Sequence, residues 1–166
     1  AMHQYLVGQM QYNEQKYPEA LLRFSEVSKL ITEPSPYLHA RVAELSLRTG
    51  DLNRALEEIS KSLKQDPNNP KTKLLYAGIL EGLNRSDEAV PVYESLTKIS
   101  PPMIEPHILL ASLYQRKNEL EKSIELLDGL VASFPDEAIV YYYIGRAYEQ
   151  KRDVPLAEEY YAKAAS

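Results

Sequence analysis

The sequence predicts an all-α fold, a solenoid of antiparallel helix pairs, and three observations carry that expectation. Pro67, Pro101 and Pro135 recur at intervals of 34 residues. With this proline set as position 32 of a repeat, position 8 is Ala43, Ala77, Ala111 and Gly145, and position 20 is Ala55, Ala89, Ser123 and Ala157. Within each unit apolar residues return at the three-and-four spacing of a helix, and no segment alternates as a strand does. Small residues at fixed points let two helices approach closely, and a bulky neighbour one turn away fills the gap. Position 24 supplies it as Ile59, Tyr93, Leu127 and Tyr161.

The repeats begin at Pro36, Pro70, Ile104 and Ala138, and a further unit upstream matches the pattern at Gly8, Ala20, Phe24 and Val27. One array therefore covers 1–166, with repeats at 1–35, 36–69, 70–103, 104–137 and 138–166. The first junction is one residue longer, around Glu33-Pro34-Ser35-Pro36. In the second repeat one helix runs from about Pro36 to Thr49, Gly50-Asp51 turns the chain, and a second helix runs from about Leu52 to Gln65. Ser35-Pro36 and Asn69-Pro70 place a capping side chain before a proline in the first helical turn, and Asp136 is expected to cap the first helix of the last repeat. Pro18 and Pro155 open second helices, where a missing N–H costs nothing. Pro91 falls about one turn into its helix and is expected to distort that start.

Composition excludes several functions. The chain has 166 residues, no cysteine, no tryptophan and a formal charge of −5 from 19 basic and 24 acidic residues. Without cysteine there is no disulfide framework, thiolate metal site or cysteine nucleophile. The acidic balance works against nucleic acid as a partner, since affinity there comes largely from cations on phosphates. No stretch has the length of apolar sequence a membrane helix needs. Ala1-Met2 reads as the remnant of a removed tag, so the chain is expected to be a piece of a longer protein whose targeting signals lie outside it. The compartment stays open between cytoplasm and periplasm.

These repeats resemble the tetratricopeptide repeat (TPR) family. The match rests on the 34-residue period, the small residues at 8 and 20, the bulky one at 24 and the proline at 32, as in Gly145-Tyr148-Ala157-Tyr161-Ala164 and Ala89-Tyr93-Pro101. The family's frequent tryptophan at position 4 is replaced by His39, Lys73, His107 and Tyr141. The resemblance implies a right-handed superhelix in which the first helix of each pair lines a concave groove through positions 2, 5, 9, 12 and 13. Carried over, the first repeat contributes Tyr5, Gln9, Tyr12 and Asn13, and the second Tyr37, Ala40, Glu44 and Arg48. The third contributes Lys71, Leu74, Gly78 and Glu81, and the fourth Glu105, Ile108, Ser112, Gln115 and Arg116. The fifth contributes Ile139, Tyr142, Arg146, Glu149 and Gln150.

This lining mixes tyrosines and aliphatics with arginines, the residue types that anchor interfaces. It implies a non-catalytic scaffold that binds a peptide or partner helix in the groove. The alternative is a positioning domain of a larger enzyme or envelope-assembly protein whose catalytic part lies elsewhere. The Lys/Asn pair at positions 5 and 9 with which chaperone-binding members hold a terminal carboxylate occurs in no repeat, and Glu44 would oppose a carboxylate. His3, His39 and His107 lack metal spacing, and carboxylate pairs such as Glu57-Glu58 read as solvated faces. No cofactor, metal or catalytic residue is expected. The last repeat ends without a cap, so a face near Tyr160, Tyr161 and Ala164 is expected to be open to self-association.

Overall fold

The computed structural model describes residues 1–166. Ten helices and no strand follow in the order α1 (Met2–Asn13), α2 (Tyr17–Leu30), α3 (Pro36–Arg48), α4 (Leu52–Gln65), α5 (Pro70–Gly82), α6 (Ser86–Thr97), α7 (Ile104–Arg116), α8 (Leu120–Val131), α9 (Ala138–Gln150) and α10 (Val154–Ala165). The all-α expectation holds, and the helix starts at Pro36, Leu52, Pro70, Ile104 and Ala138 fall where the period places them. The chain divides into two compact units, Ala1–Ala89 and Val90–Ser166.

Every first helix ends in the same way. Gln15, Asn84, Asn118 and Arg152 have φ between 59 and 61°, and Gly50 has φ 85°. All five stand at position 15. The following N–H returns to the carbonyl of position 11 in each repeat, as in Asp51 to Ser46 at 2.8 Å and Asp153 to Tyr148 at 3.0 Å. The N–H of position 15 returns to position 12, as in Asn84 to Glu81 at 2.9 Å. These two bonds are the Schellman pair, which satisfies carbonyls a helix end leaves orphaned. Only one of the five left-handed residues is glycine, so sequence alone marks only that turn strongly.

The caps are mostly as read. Ser35 Oγ accepts from the Leu38 N–H at 3.3 Å and Asn69 Oδ1 from the Thr72 N–H at 3.2 Å. Asp51 and Asp153 cap α4 and α10 in the same manner. Asp136 does not cap α9. The cap residue is Glu137, without a side-chain bond, because its N–H turns back to the Phe134 carbonyl and leaves Asp136 inside that turn. Pro91, expected to distort the start of its helix, lies inside α6, which runs from Ser86 to Thr97.

In the first unit α2 presents Ala20, Phe24 and Val27 to Leu38, Val42 and Leu45 of α3, and Tyr5, Tyr12, Tyr17, Leu21 and Ile31 close the edges. The next seam repeats the arrangement: Ala43, Ala55, Ile59 and Ile79 join α3, α4 and α5. In the second unit Ala111, Leu127, Leu130, Val140 and Ile144 join α7, α8 and α9. Within each unit, neighbouring helix pairs thus bury apolar faces against one another, because a lone pair has nothing else to cover it.

Candidate partner-binding site

On α3, Tyr37, Arg41, Glu44 and Arg48 are spaced four, three and four residues apart, so they form one ridge along the helix. α1 lies beside that ridge and adds Tyr12, whose hydroxyl donates to Glu44 Oε1 at 2.6 Å across 32 residues of sequence. Glu44 also accepts from Arg41 Nη1 at 2.9 Å and from Arg48 Nε at 3.2 Å. Arg41 donates to the Tyr37 hydroxyl at 2.7 Å, and its guanidinium lies 4.0 Å from the centroid of the Tyr12 ring. Arg48 lies 4.8 Å over Tyr17.

This packing sets the charges. The hydrogen bond to Glu44, then burial, holds the Tyr12 hydroxyl above its usual range. Burial works against the charge on Arg41 and Arg48, but their bonds to Tyr37 and Glu44 outweigh it, and both are held more firmly protonated. Glu44 therefore does not stand as the bare charge expected to oppose a carboxylate. It is shared by two arginines and a phenol, and the cluster keeps a surplus positive charge. Tyr37 is 51% exposed, and 46% of the Arg48 side chain is open. Tyr5 sits edge-on to Phe24 with ring centroids 5.5 Å apart, and Gln9 donates to Asn13 at 3.1 Å. Lys71 is exposed on α5 and Leu74 is half-buried.

The second unit builds a different surface on α7 and α9. Ile139 and Tyr142 are exposed. Arg146 lies 5.2 Å over the Tyr143 ring, and Tyr142 meets Tyr143 edge-on at 5.5 Å. Glu149 accepts from the Tyr161 hydroxyl at 2.8 Å; burial and that carboxylate push Tyr161 up to about 12. Ile108 and Ser112 are half-buried, while Glu105 and Arg116 are exposed.

Some expectations do not survive. Gln115, read as lining, is buried. Its amide donates to Ser123 Oγ at 3.0 Å and to the Tyr143 carbonyl at 2.8 Å, tying α7 to α8 and α9. Glu58, read as part of a solvated pair, binds His39 and Lys61 at 2.7 Å each. Arg41 was absent from the sequence list because it occupies position 6, outside the family's lining positions. Its spacing from Tyr37 and Glu44 was the signal that could have found it.

Two family models described as tetratricopeptide repeat match residues 46–99 and 108–166, together about two thirds of the chain. The chain belongs to the tetratricopeptide repeat family. It is 28% identical over 97 residues to interferon-induced protein with tetratricopeptide repeats 2 of Cricetulus griseus, covering 58% of this chain and 20% of that protein. It is 25% identical over 126 residues to the TPR repeat-containing protein YpiA of Bacillus subtilis (strain 168), covering 76% and 30%. The chain therefore spans 20–30% of the length of these curated relatives. Among solved structures, MamA 41-end from Desulfovibrio magneticus RS-1 has a TM-score of 0.87 at 23% identity, covering 99% of this chain and 92% of that one. A crystal structure of MamA has a TM-score of 0.83 at 18% identity, covering 96% and 92%. At these identities the likeness is one of fold. No helix of this TPR chain is long and apolar enough to cross a membrane.

Proposed function

We propose that this TPR chain is a non-catalytic scaffold that holds an extended segment of a partner protein on the exposed faces of its first helices. On α1 and α3 that segment presents an acidic side chain to Arg48. The observation that carries this reading is the Tyr12–Arg41–Glu44–Arg48 cluster. It is held rigid by its own hydrogen bonds, so little side-chain entropy is lost when a ligand arrives. Arg48 uses only Nε toward Glu44, which leaves its two Nη groups to fork onto a carboxylate. The exposed Tyr37 ring, about three turns away at the other end of α3, offers apolar contact farther along the segment. Ile139, Tyr142 and Arg146 provide the corresponding anchors on α9.

Fluorescence polarisation with a peptide library graded in Asp and Glu content tests this. Acidic peptides should bind, Arg48→Glu should weaken them by about tenfold or more, and added salt should weaken them further. Equal binding of neutral and acidic peptides, or indifference to Arg48→Glu, would refute it. For α9, a pull-down comparing wild type with Tyr142→Ala/Arg146→Glu should lose partners; equal recovery would remove those residues from the site.

A further inference from the structure

The cluster on α1 and α3 contains an anion of its own as well as two cations. Glu44 sits between Arg41 and Arg48, and both of its oxygens are engaged. Oε2 accepts from Arg41 Nη1 at 2.9 Å. Oε1 accepts from Arg48 Nε at 3.2 Å and from the Tyr12 hydroxyl at 2.6 Å. Tyr12 donates, so it is protonated and brings no charge. Two guanidinium groups against one carboxylate leave a single net positive charge.

That charge is unevenly presented. The side chains of Arg41 and Glu44 are 15% and 24% exposed, and that of Arg48 is 46% exposed. An arriving anion therefore meets the Nη groups of Arg48, on the same guanidinium whose Nε holds Glu44. It comes to rest within a guanidinium's width of the Glu44 carboxylate. Glu44 has no freedom to swing away, because its three donors come from two helices. Its neighbours are fixed as well: Arg41 lies 4.0 Å over the Tyr12 ring and 5.4 Å over the Tyr37 ring, and Arg48 lies 4.8 Å over Tyr17.

The charge of the ligand then decides whether it is accepted. A carboxylate brings one negative charge, which the surplus matches. A phosphorylated side chain brings about −1.5 to −2 at neutral pH. Two arginines would ordinarily favour that higher charge. Here the excess is left facing Glu44, and like charges set together at an interface are costly.

We infer that Glu44 is a specificity-determining residue, which makes this surface accept a carboxylate side chain and reject a phosphorylated one. This rests on the reading of α1 and α3 as the site of an acidic segment. Glu44 acts twice there. Its bond to Nε orients Arg48 toward the ligand, and its charge excludes the dianion.

Fluorescence polarisation with one peptide in three forms tests this. A library peptide with a single acidic residue is made with Glu, phosphoserine or Gln at that position. Wild type should hold the Glu form about tenfold more tightly than the Gln form, and about threefold or more above the phosphoserine form. Glu44→Gln keeps an oxygen that accepts from Tyr12. In that variant the phosphoserine form should gain about tenfold and become the preferred ligand, with the Glu form gaining less. Tyr12→Phe keeps the charge and releases one bond to Glu44, so it should narrow the preference by less than Glu44→Gln does. Glu57→Gln removes the same charge from a side chain 66% exposed on α4 and should leave the order unchanged. Far-UV circular dichroism should be the same for all four proteins. A wild type that prefers phosphoserine, a ratio that Glu44→Gln leaves unmoved, or an equal shift in Glu57→Gln would each overturn the inference and leave the acidic-segment reading standing. Equal binding of the Glu and Gln forms would overturn both.

Discussion

His39 Nδ1 lies 2.7 Å from Glu58 Oε2, joining α3 to α4 within the second repeat, and the two side chains are only 8% and 14% exposed. Lys61 holds the other oxygen of the same carboxylate at 2.7 Å. A pair that reads in sequence as a loose surface glutamate and a lone histidine is a closed three-residue network.

That network gives stability a pH dependence. Burial pushes the Glu58 carboxyl up, but Lys61 and His39 outweigh it and hold it below the usual range. A depressed folded-state value means stability that is complete above the unfolded value of about 4.3 and lost as pH falls through the lower folded one. Glu58→Gln should therefore cost about 1 kcal/mol near neutral pH. Urea melts should show that difference shrinking toward zero below about pH 4. A constant difference across the range would refute the linkage.

Two glycines should respond in opposite directions. A methyl at Gly145 would stand 2.8 Å from two ring carbons of Tyr161, whereas one at Gly78 would meet nothing within 4 Å. Gly145→Ala should destabilise by about 1–3 kcal/mol through overpacking. Gly78→Ala, in the interior of α5, should stabilise by about 0.5–1 kcal/mol through helix propensity. Thermal denaturation of the two variants checks the sign.

Arg152 holds φ 61° at the end of α9. An L residue with a side chain pays roughly 1–2 kcal/mol for that conformation. Arg152→Gly should raise stability by about 1 kcal/mol, the gain being reduced by the greater freedom glycine has when unfolded. Asn84→Gly and Asn118→Gly should gain less, because asparagine tolerates the left-handed region. Equal gains at all three, read from denaturation midpoints, would contradict this account.

Gln115 should behave as a core residue. Replacing it with alanine removes both donors reaching Ser123 and Tyr143, leaves polar partners unmet, and should cost about 1–3 kcal/mol. The neighbouring Arg116→Ala, on an exposed side chain, should change stability by about 0.5 kcal/mol or less. Chemical denaturation of both variants separates them.

The sequence by itself determined the period, the helix pairs, four of the five repeat starts to the residue, and the positions where helices touch. Those properties rest on local rules: a proline or small residue acts at its own site, and helical spacing shows in any window of a few turns. The exposure of Tyr37, Arg48, Ile139 and Tyr142 was also legible, because it follows from helix phase within one repeat. Tertiary structure alone decided which of them act together. Tyr12 meets Glu44 across 32 residues only because α1 packs beside α3. Arg41 joins the cluster, and Gln115 leaves the surface because three helices converge on it. Glu58 ceases to be a surface charge once His39 lies opposite. Repetition fixes where each side chain points. What it meets there depends on the unlike residue the neighbouring repeat supplies, and a periodic pattern carries no information about that.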